Sequence, residues 1–198
     1  MSSRAFWVSI AGLFVVLLVG LGLRQAASRS TAPPRPEALT RAEIQRRLAG
    51  APPALAALHR QANAILPGSG RALNARLKAL RGHPAVVNIW AAWCGPCRVE
   101  LPVLQRVSVR LGRQVAFLGV DLKDDRGSAR RLLAKVPVAY PSYEDPDAKF
   151  FNSQKLQGVP TTLFYDRRGR QTFVHQGPYL DRAALERDIR RYALGRPA

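Results

Sequence analysis

The hydrophobic pattern changes character along this chain, and each change predicts a different kind of element. Residues 6–23 form an uninterrupted apolar run whose length reaches the lower limit of a membrane-spanning helix. Between residues 40 and 82, apolar positions recur at helical spacing and are interrupted by three clusters of glycine and proline. This middle region therefore predicts three helices: one begins after Thr40, one covers residues 54–66, and one has Ser69 as its cap.

From residue 85 onward, short apolar runs alternate with helical patterns, as in a βαβ unit. The predicted strands cover residues 85–90, 115–120, 161–165 and 172–175. The predicted helices are one that follows Cys97 and ends at Gly112, one over residues 124–134, one over residues 146–152, and a closing helix capped by Asp181. This order predicts an α/β fold in which a mixed sheet carries helices on both faces.

The only two cysteines, Cys94 and Cys97, directly follow the predicted strand and open the next helix. Unpaired N–H groups and the helix dipole favour a thiolate there, and such settings lower a cysteine pKa to between roughly 3.5 and 7.5. We therefore predict that Cys94 is a nucleophile and that Cys97 resolves the mixed disulfide. The alternatives are a static disulfide, which would close too short a loop to stabilise much, and half of a four-ligand zinc site.

The formal charge of +18 at pH 7 raises the question of a polyanionic partner. The arginines are spread along the chain without a basic block or an aromatic-interleaved patch, so we predict no nucleic-acid binding. Attraction to anionic lipid headgroups fits this charge better. His59, His83 and His175 lack ligand spacing, and we predict no metal site and no cofactor.

The patterns divide the chain into five segments. They are a cytoplasmic tail (1–5), a transmembrane anchor (6–23), a proline-rich linker (24–39), a helical extension (40–82) and a catalytic domain (83–195). A short tail before a single apolar segment favours a single-pass membrane protein whose catalytic domain is extracytoplasmic, on the periplasm or cell-wall side. A cleaved signal peptide is the alternative, although residues 25–28 fit a cleavage site poorly. The helical extension either covers a sheet edge or binds a partner.

Four features of the sequence resemble the thioredoxin superfamily and, within it, the membrane-tethered TlpA-like thiol-disulfide oxidoreductases. They are the motif Trp93-Cys94-Gly95-Pro96-Cys97, the helix-kinking Pro102, the Glu100-Leu101-Pro102 extension and the loop Gly158-Val159-Pro160-Thr161. The resemblance covers about residues 77–193. It implies a thioredoxin-like fold in which the bond before Pro160 is cis and places the Val159 backbone beside Cys94, where an extended substrate segment pairs with it.

The resemblance also implies which residues take part in the reaction. Cys94, Cys97, Glu100 and Pro160 are the expected catalytic residues. Trp93, Gly95, Pro96 and Val159 are the expected substrate-binding residues.

Glu100 has two readings. A partly buried carboxyl group there has a raised pKa and exchanges protons with Cys97; the alternative is a solvated carboxylate stabilised near the helix N-terminus. Cytosolic thioredoxins typically carry a buried aspartate where this chain has Asn88, so Glu100 is expected to replace it. Of the neighbouring residues, Trp90 is predicted to pack in the core, Trp93 to be exposed, and Asp121 to lie in a loop or cap.

The function expected from these residues is reduction of disulfides in exported client proteins, with a membrane thiol reductase as electron donor. By resemblance, the clients include apocytochrome c or other exported metalloproteins, in cytochrome c maturation or redox homeostasis. The alternatives are a disulfide oxidase and a copper-delivery module that uses both cysteines and a histidine, although Gly95-Pro96 disfavours the copper module. A peroxide-reducing enzyme is disfavoured because the chain lacks its Pro-x-x-x-Thr-x-x-Cys setting.

Overall fold

The computed structural model describes residues 39–196, and the predicted tail, the predicted anchor and nearly all of the predicted linker lie outside them. The strands are β1 (Ile65–Leu66), β2 (Ala85–Trp90), β3 (Ala116–Leu122), β4 (Ser142–Asp145), β5 (Thr161–Tyr165) and β6 (Gln171–Gln176). The helices are α1 (Arg41–Leu48), α2 (Pro53–Arg60), α3 (Ser69–Ala79), α4 (Gly95–Leu111), α5 (Arg126–Lys135), α6 (Lys149–Ser153) and α7 (Arg182–Asp188), which continues as a π-helical turn over Ile189–Ala193. Within this part of the chain, no helix is both long enough and apolar enough to span a bilayer.

The strands form one mixed sheet in the order β1-β4-β3-β2-β5-β6. Strand β2 pairs in parallel with β3 and antiparallel with β5. All six residues of β2 are buried. Because helices cover both faces of this central strand, its residues do not alternate between apolar and polar, which explains the nearly continuous apolar run. The mixed α/β sheet is confirmed.

Two helical layers cover the sheet, and we name each face after its principal helix. On the α4 face, side chains of α4, α5 and α7 pack on the sheet, among them Leu104, Leu133 and Leu185. On the α3 face, α2, α3 and α6 contribute Leu55, Leu73 and Phe150 to a second cluster. The prediction of helices on both faces is therefore confirmed.

The first helices are part of the same sheet architecture. The predicted helix over residues 54–66 is wrong in its second half: α2 ends at Arg60, and Ile65–Leu66 forms β1. This short segment pairs in parallel with β4, where the Ser142 N–H donates to the Ala64 carbonyl at 2.8 Å. Pairing with β4, whose Ser142 lies 77 positions from Ile65, therefore makes this segment a strand and not the end of a helix. The region ahead of residue 82 thus supplies an edge strand and covers one face.

The helix caps were predicted with mixed success. Thr40 and Asp181 accept hydrogen bonds from the N–H groups of Glu43 and Ala184, as their patterns predicted. Ser69 is not a cap: it lies in the first turn of α3, and its hydroxyl donates to the Asp145 carboxylate at 2.6 Å. That acceptor becomes a neighbour only when β4 packs against α3.

Candidate active site

The two cysteines lie at the N-terminus of α4 and are joined in a disulfide. Pro96 in the first turn is compatible with a helix start because its missing N–H would have no partner there. Cys94 is the N-cap residue, and its Sγ accepts a hydrogen bond from the Cys97 N–H at 3.2 Å. This donor favours negative charge on Cys94 once the disulfide is reduced.

The surface around the disulfide is formed by the predicted binding residues. Gly95 and Pro96 are exposed, and Trp93 is 56% exposed, as predicted, with its indole N–H donating to the Lys123 carbonyl at 3.2 Å. Trp90 is buried, also as predicted, and its indole N–H donates to the Ser142 hydroxyl. Of the two tryptophans near the disulfide, one therefore lies on the surface and the other in the core.

The loop ahead of β5 faces the disulfide. The Val159–Pro160 peptide bond is cis, as the resemblance implied. The Val159 carbonyl oxygen lies 3.6 Å from the Sγ of Cys94, so backbone polar groups border the outer sulfur. Pro160 is buried and Val159 is partly exposed, which leaves this backbone accessible from the side of the disulfide.

Glu100 lies one helical turn beyond Cys97 and is fully buried, so the reading as a solvated helix carboxylate is wrong. One carboxylate oxygen accepts from the Tyr179 N–H and the other from the Asn88 Nδ2, each at 3.0 Å. Burial raises the pKa of Glu100 to about 7, and the two hydrogen bonds offset only part of that rise. A carboxyl group that titrates near neutrality suits proton transfer.

Asn88 of β2 holds one oxygen of the Glu100 carboxyl group. Its side-chain amide is buried and donates to both Glu100 and the Thr162 hydroxyl, the latter at 3.3 Å. Its Oδ1 has no partner among residues 39–196. The amide therefore orients the Glu100 carboxyl group without itself titrating.

Tyr179 belongs to the site, although the sequence analysis did not identify it. Its backbone N–H binds Glu100, its ring stacks on His175 at 4.0 Å, and its hydroxyl donates to Asp188 at 2.5 Å. Tyr179 is 79 positions from Glu100 and has no local motif. No signal in the sequence could have identified this contact.

Asp121 also lies in an unexpected place. We predicted a loop or cap residue, but β3 continues to Leu122 and buries Asp121, so that prediction is wrong. Burial, followed by the neighbouring carboxyl group of Asp124, raises the pKa of Asp121 to about 8. Asp124 in turn accepts a hydrogen bond from the Ala92 N–H.

Residues 39–196 contain no group of three or more histidine, cysteine or acidic side chains arranged to hold a metal ion. His175 packs against Tyr179, and the imidazole of His59 lies beside Gly112.

Comparison with known proteins agrees with this geometry. The family model described as Redoxin matches residues 69–189. The thiol:disulfide interchange protein DsbE of Pseudomonas fluorescens biotype C is 38% identical over 91 residues, covering 46% of this chain and 49% of the relative. The chain spans about half the length of the curated relatives it matches.

Two solved structures from Chlorobium tepidum have a similar fold. A putative thiol:disulfide interchange protein DsbE superposes with a TM-score of 0.53 at 29% identity, covering 57% of this chain and 82% of that chain. A thiol:disulfide interchange protein of the thioredoxin family superposes with a TM-score of 0.53 at 26% identity, covering 58% and 83%. These similarities confirm the predicted thioredoxin-like fold.

Proposed function

Because this chain belongs to the Redoxin family, we propose that it exchanges disulfides with other proteins through Cys94 and Cys97. One observation carries the proposal: the outer sulfur caps a helix beside the Val159 carbonyl, and a buried carboxyl group lies one turn behind the inner sulfur. The relatives named as thiol:disulfide interchange proteins support the same chemistry.

The first step uses the reduced protein. The thiolate of Cys94 attacks one sulfur of a client disulfide, forming a bond between Cys94 and the client and breaking the client's own S–S bond. The departing client sulfur leaves as a thiolate and takes a proton from water. The Cys97 N–H and the N-terminus of α4 stabilise the attacking anion.

The second step releases the client. Cys97 gives its proton to Glu100 and attacks the Sγ of Cys94, which expels the second client sulfur as a thiolate. The client gains two electrons and the protein loses two, which leaves the Cys94–Cys97 disulfide found in the structure. A Glu100 pKa of about 7 allows the same group to accept a proton here and return it to water.

The direction of transfer that we propose is reduction. Exported proteins with disulfides would be the clients, and a membrane thiol reductase would return the protein to the dithiol form. A Cys-x-x-Cys pair outside the cytosol meets such disulfides, whereas cytosolic proteins rarely contain them. The partly exposed Val159 backbone offers an edge on which an extended client segment can pair.

We propose further that the apolar run of residues 6–23 anchors the protein in the membrane with its catalytic part outside the cytoplasm. The length of the run and the short tail ahead of it support this. Reduced cells treated with a membrane-impermeant maleimide test it, because Cys94 and Cys97 are the only thiols. Labelling in intact spheroplasts is expected, and labelling only after lysis would reject this topology.

Insulin is a suitable probe for the exchange reaction. The full-length protein in detergent should accelerate insulin reduction by dithiothreitol, because Cys94 provides a thiolate that the small dithiol lacks at neutral pH. Cys94→Ala should abolish the acceleration. Cys97→Ala, the matched single-cysteine variant, should instead accumulate a mixed disulfide visible on non-reducing gels.

Other outcomes would assign a different function. A wild type no faster than dithiothreitol alone would reject disulfide exchange, and tight copper binding in that protein would favour the copper module. Equilibration with glutathione tests the direction: a potential near the −120 mV of strong thiol oxidases, in place of about −180 mV or lower, would replace the reductase with an oxidase.

A further inference from the structure

A second pair of carboxyl groups lies beside the turn that leads to Cys94. Asp121 is 3% exposed, and its Oδ1 has no hydrogen-bond partner among residues 39–196. Its carboxyl group adjoins that of Asp124, whose negative charge disfavours ionisation of Asp121. Two adjoining carboxyl groups can form a hydrogen bond only when one of them keeps a proton.

Asp124 connects this pair to the active site. Its Oδ2 accepts a hydrogen bond from the Ala92 N–H, and the next residue, Trp93, donates from its indole to the Lys123 carbonyl. The loop after β3 therefore holds the residues immediately ahead of Cys94 at two points. Arg98 holds the same turn from α4, because its Nε donates to the Ala92 carbonyl at 2.8 Å.

We propose that Asp121 is a proton-carrying positioning residue for Cys94: its protonated carboxyl group donates to Asp124, and Asp124 holds the Ala92 amide and the turn that presents the nucleophile. The effect on reactivity rests on the proposed disulfide exchange. The positioning itself does not, because it follows from contacts in the oxidised protein.

The surroundings of Asp121 favour keeping the proton. Across the sheet it pairs with Trp90 of β2 and Glu144 of β4, so the neighbouring strand contributes a further negative charge. Asp125 adds another from the start of α5. Two of the nearby cations are engaged elsewhere: Arg126 pairs with Glu144, and Arg98 binds a carbonyl. Lys123 lies in the same loop, and Arg130 acts on Glu144.

Loss of the proton should therefore loosen the turn. Burial, followed by the effects of Asp124, Glu144 and Asp125, raises the pKa of Asp121 to about 8. Below this pH the donated hydrogen bond keeps Asp124 in place under the Ala92 amide. Above pH 8, the two adjacent carboxylates repel each other, and Asp124 loses the hydrogen bond that fixes its position.

Nuclear magnetic resonance of the oxidised full-length protein in detergent tests the positioning. The Ala92 amide shift should change with an inflection near pH 8 in the wild type. Asp121→Asn should remove the inflection, because an amide donates to Asp124 at every pH. Asp124→Asn should move the Asp121 carboxyl titration to lower pH, because it removes the adjacent negative charge.

Asp125→Asn is the matched control. It removes one charge from the same loop, and asparagine caps α5 as well as aspartate does. Because it lies outside the Asp121–Asp124 contact, the Ala92 inflection should stay within a few tenths of a pH unit. A wild-type Ala92 amide that does not titrate between pH 6 and 10, or one that titrates equally in Asp121→Asn, overturns the proposal.

Reactivity provides the second readout. The reduced protein should react with 5,5′-dithiobis(2-nitrobenzoate) with two pH-dependent phases, one for Cys94 ionisation and one near pH 8. Asp121→Asn should show only the first phase. Identical profiles would overturn the link to Cys94. An Ala92 titration as expected, in a protein that never reduces insulin, would support the positioning and reject only the disulfide-exchange function.

Discussion

Asp145 on the α3 face and Glu100 on the α4 face are both fully buried carboxyl groups, yet their surroundings differ. Asp145 accepts three hydrogen bonds: from the Ser69 hydroxyl at 2.6 Å and from the N–H groups of Phe150 and Phe151 at 3.1 and 2.9 Å. Glu100 accepts two. Asp121, also on the α4 face, adjoins the carboxyl group of Asp124, and its Oδ1 has no hydrogen-bond partner among residues 39–196.

The number of hydrogen-bond donors distinguishes a carboxyl group that stabilises the fold from one that can exchange protons. Three donors drawn from α3 and α6 make Asp145 a junction that ties two helices to β4. Where donors are scarce, burial is not offset, and it raises the pKa of Glu100 to about 7 and that of Asp121 to about 8. One face therefore uses a buried acid to hold the fold, and the other keeps acids that can exchange protons.

The largest expected effect comes from removing the Asp145 carboxylate, which ties α3 and α6 to β4. Asp145→Ala removes the acceptor of three hydrogen bonds, one buried and two partly buried, and should lower the free energy of unfolding by about 4 kcal/mol. Denaturant titration followed by tryptophan fluorescence measures this. Asp147→Ala, at an exposed side chain, is the control and should change stability by less than about 0.5 kcal/mol. Equal effects of the two variants would contradict the role of Asp145.

The second prediction concerns the pH dependence that Glu100 creates. Because its folded-state pKa is raised from 4.5 to about 7, the folded protein binds this proton more tightly than the unfolded chain does. The resulting stability is fully present below pH 4.5 and is lost as the pH rises through 7. The loss attributable to Glu100 is about 3 kcal/mol.

Glu100→Gln should remove this component, so its free energy of unfolding should fall less steeply with pH than that of the wild type. Denaturant titrations of the oxidised proteins between pH 4.5 and 8 measure the difference. Asp147→Asn is the charge-matched control and should follow the wild type. Parallel curves for the wild type and Glu100→Gln would show that Glu100 is already ionised at low pH.

The third prediction tests packing beneath the active site on the α4 face. A Cβ at Gly119 would lie 2.1 Å from the Ser142 hydroxyl oxygen, which accepts the Trp90 indole N–H. Gly119→Ala should therefore cost about 2–3 kcal/mol of stability. Gly127→Ala in α5 is the control: its Cβ would lie 3.2 Å from the ends of the Arg131 and capping Asp125 side chains, so stability should change by less than about 1 kcal/mol. Thermal unfolding separates the two.

The smallest expected effect concerns Tyr140. Its hydroxyl is buried on the α4 face without a partner among residues 39–196. Tyr140→Phe removes an unsatisfied polar group and should leave stability unchanged or raise it by up to about 1 kcal/mol. Insulin reduction should be unaffected. A tenfold loss of that activity in a stable variant would instead show that the Tyr140 hydroxyl takes part in proton transfer to or from Glu100.

Local sequence signals predicted the centre of this site. Cys94, Cys97 and Glu100 lie within two turns of one helix, and an apolar run followed by a helical pattern identifies the junction between β2 and α4. The short β4, which includes Glu144 and Asp145, was not predicted because its pattern is neither long nor alternating. Its place depends on β3 and β1, which come from distant parts of the chain.

The same reasoning explains the residues that were missed. Tyr179 acts through a backbone N–H, which every residue except proline has, and no residue type marks it. Asp121 extends β3 by pairing with Glu144, so a polar residue is buried where the apolar run in the sequence ends. A pattern of residue types records which side chains prefer burial, but it does not record which backbone groups meet.

Contacts at the site also differ in how far apart they lie along the chain. Cys94 and Cys97 are 3 residues apart, whereas 65 positions separate Cys94 from Val159, and 79 separate Glu100 from Tyr179. Contacts between distant segments form more slowly, because a long loop must close first. As the chain folds, the two thiols are therefore neighbours well before β5 pairs with β2. A nascent chain carries an ordinary dithiol, and only the completed fold gives it the reactivity of the finished site.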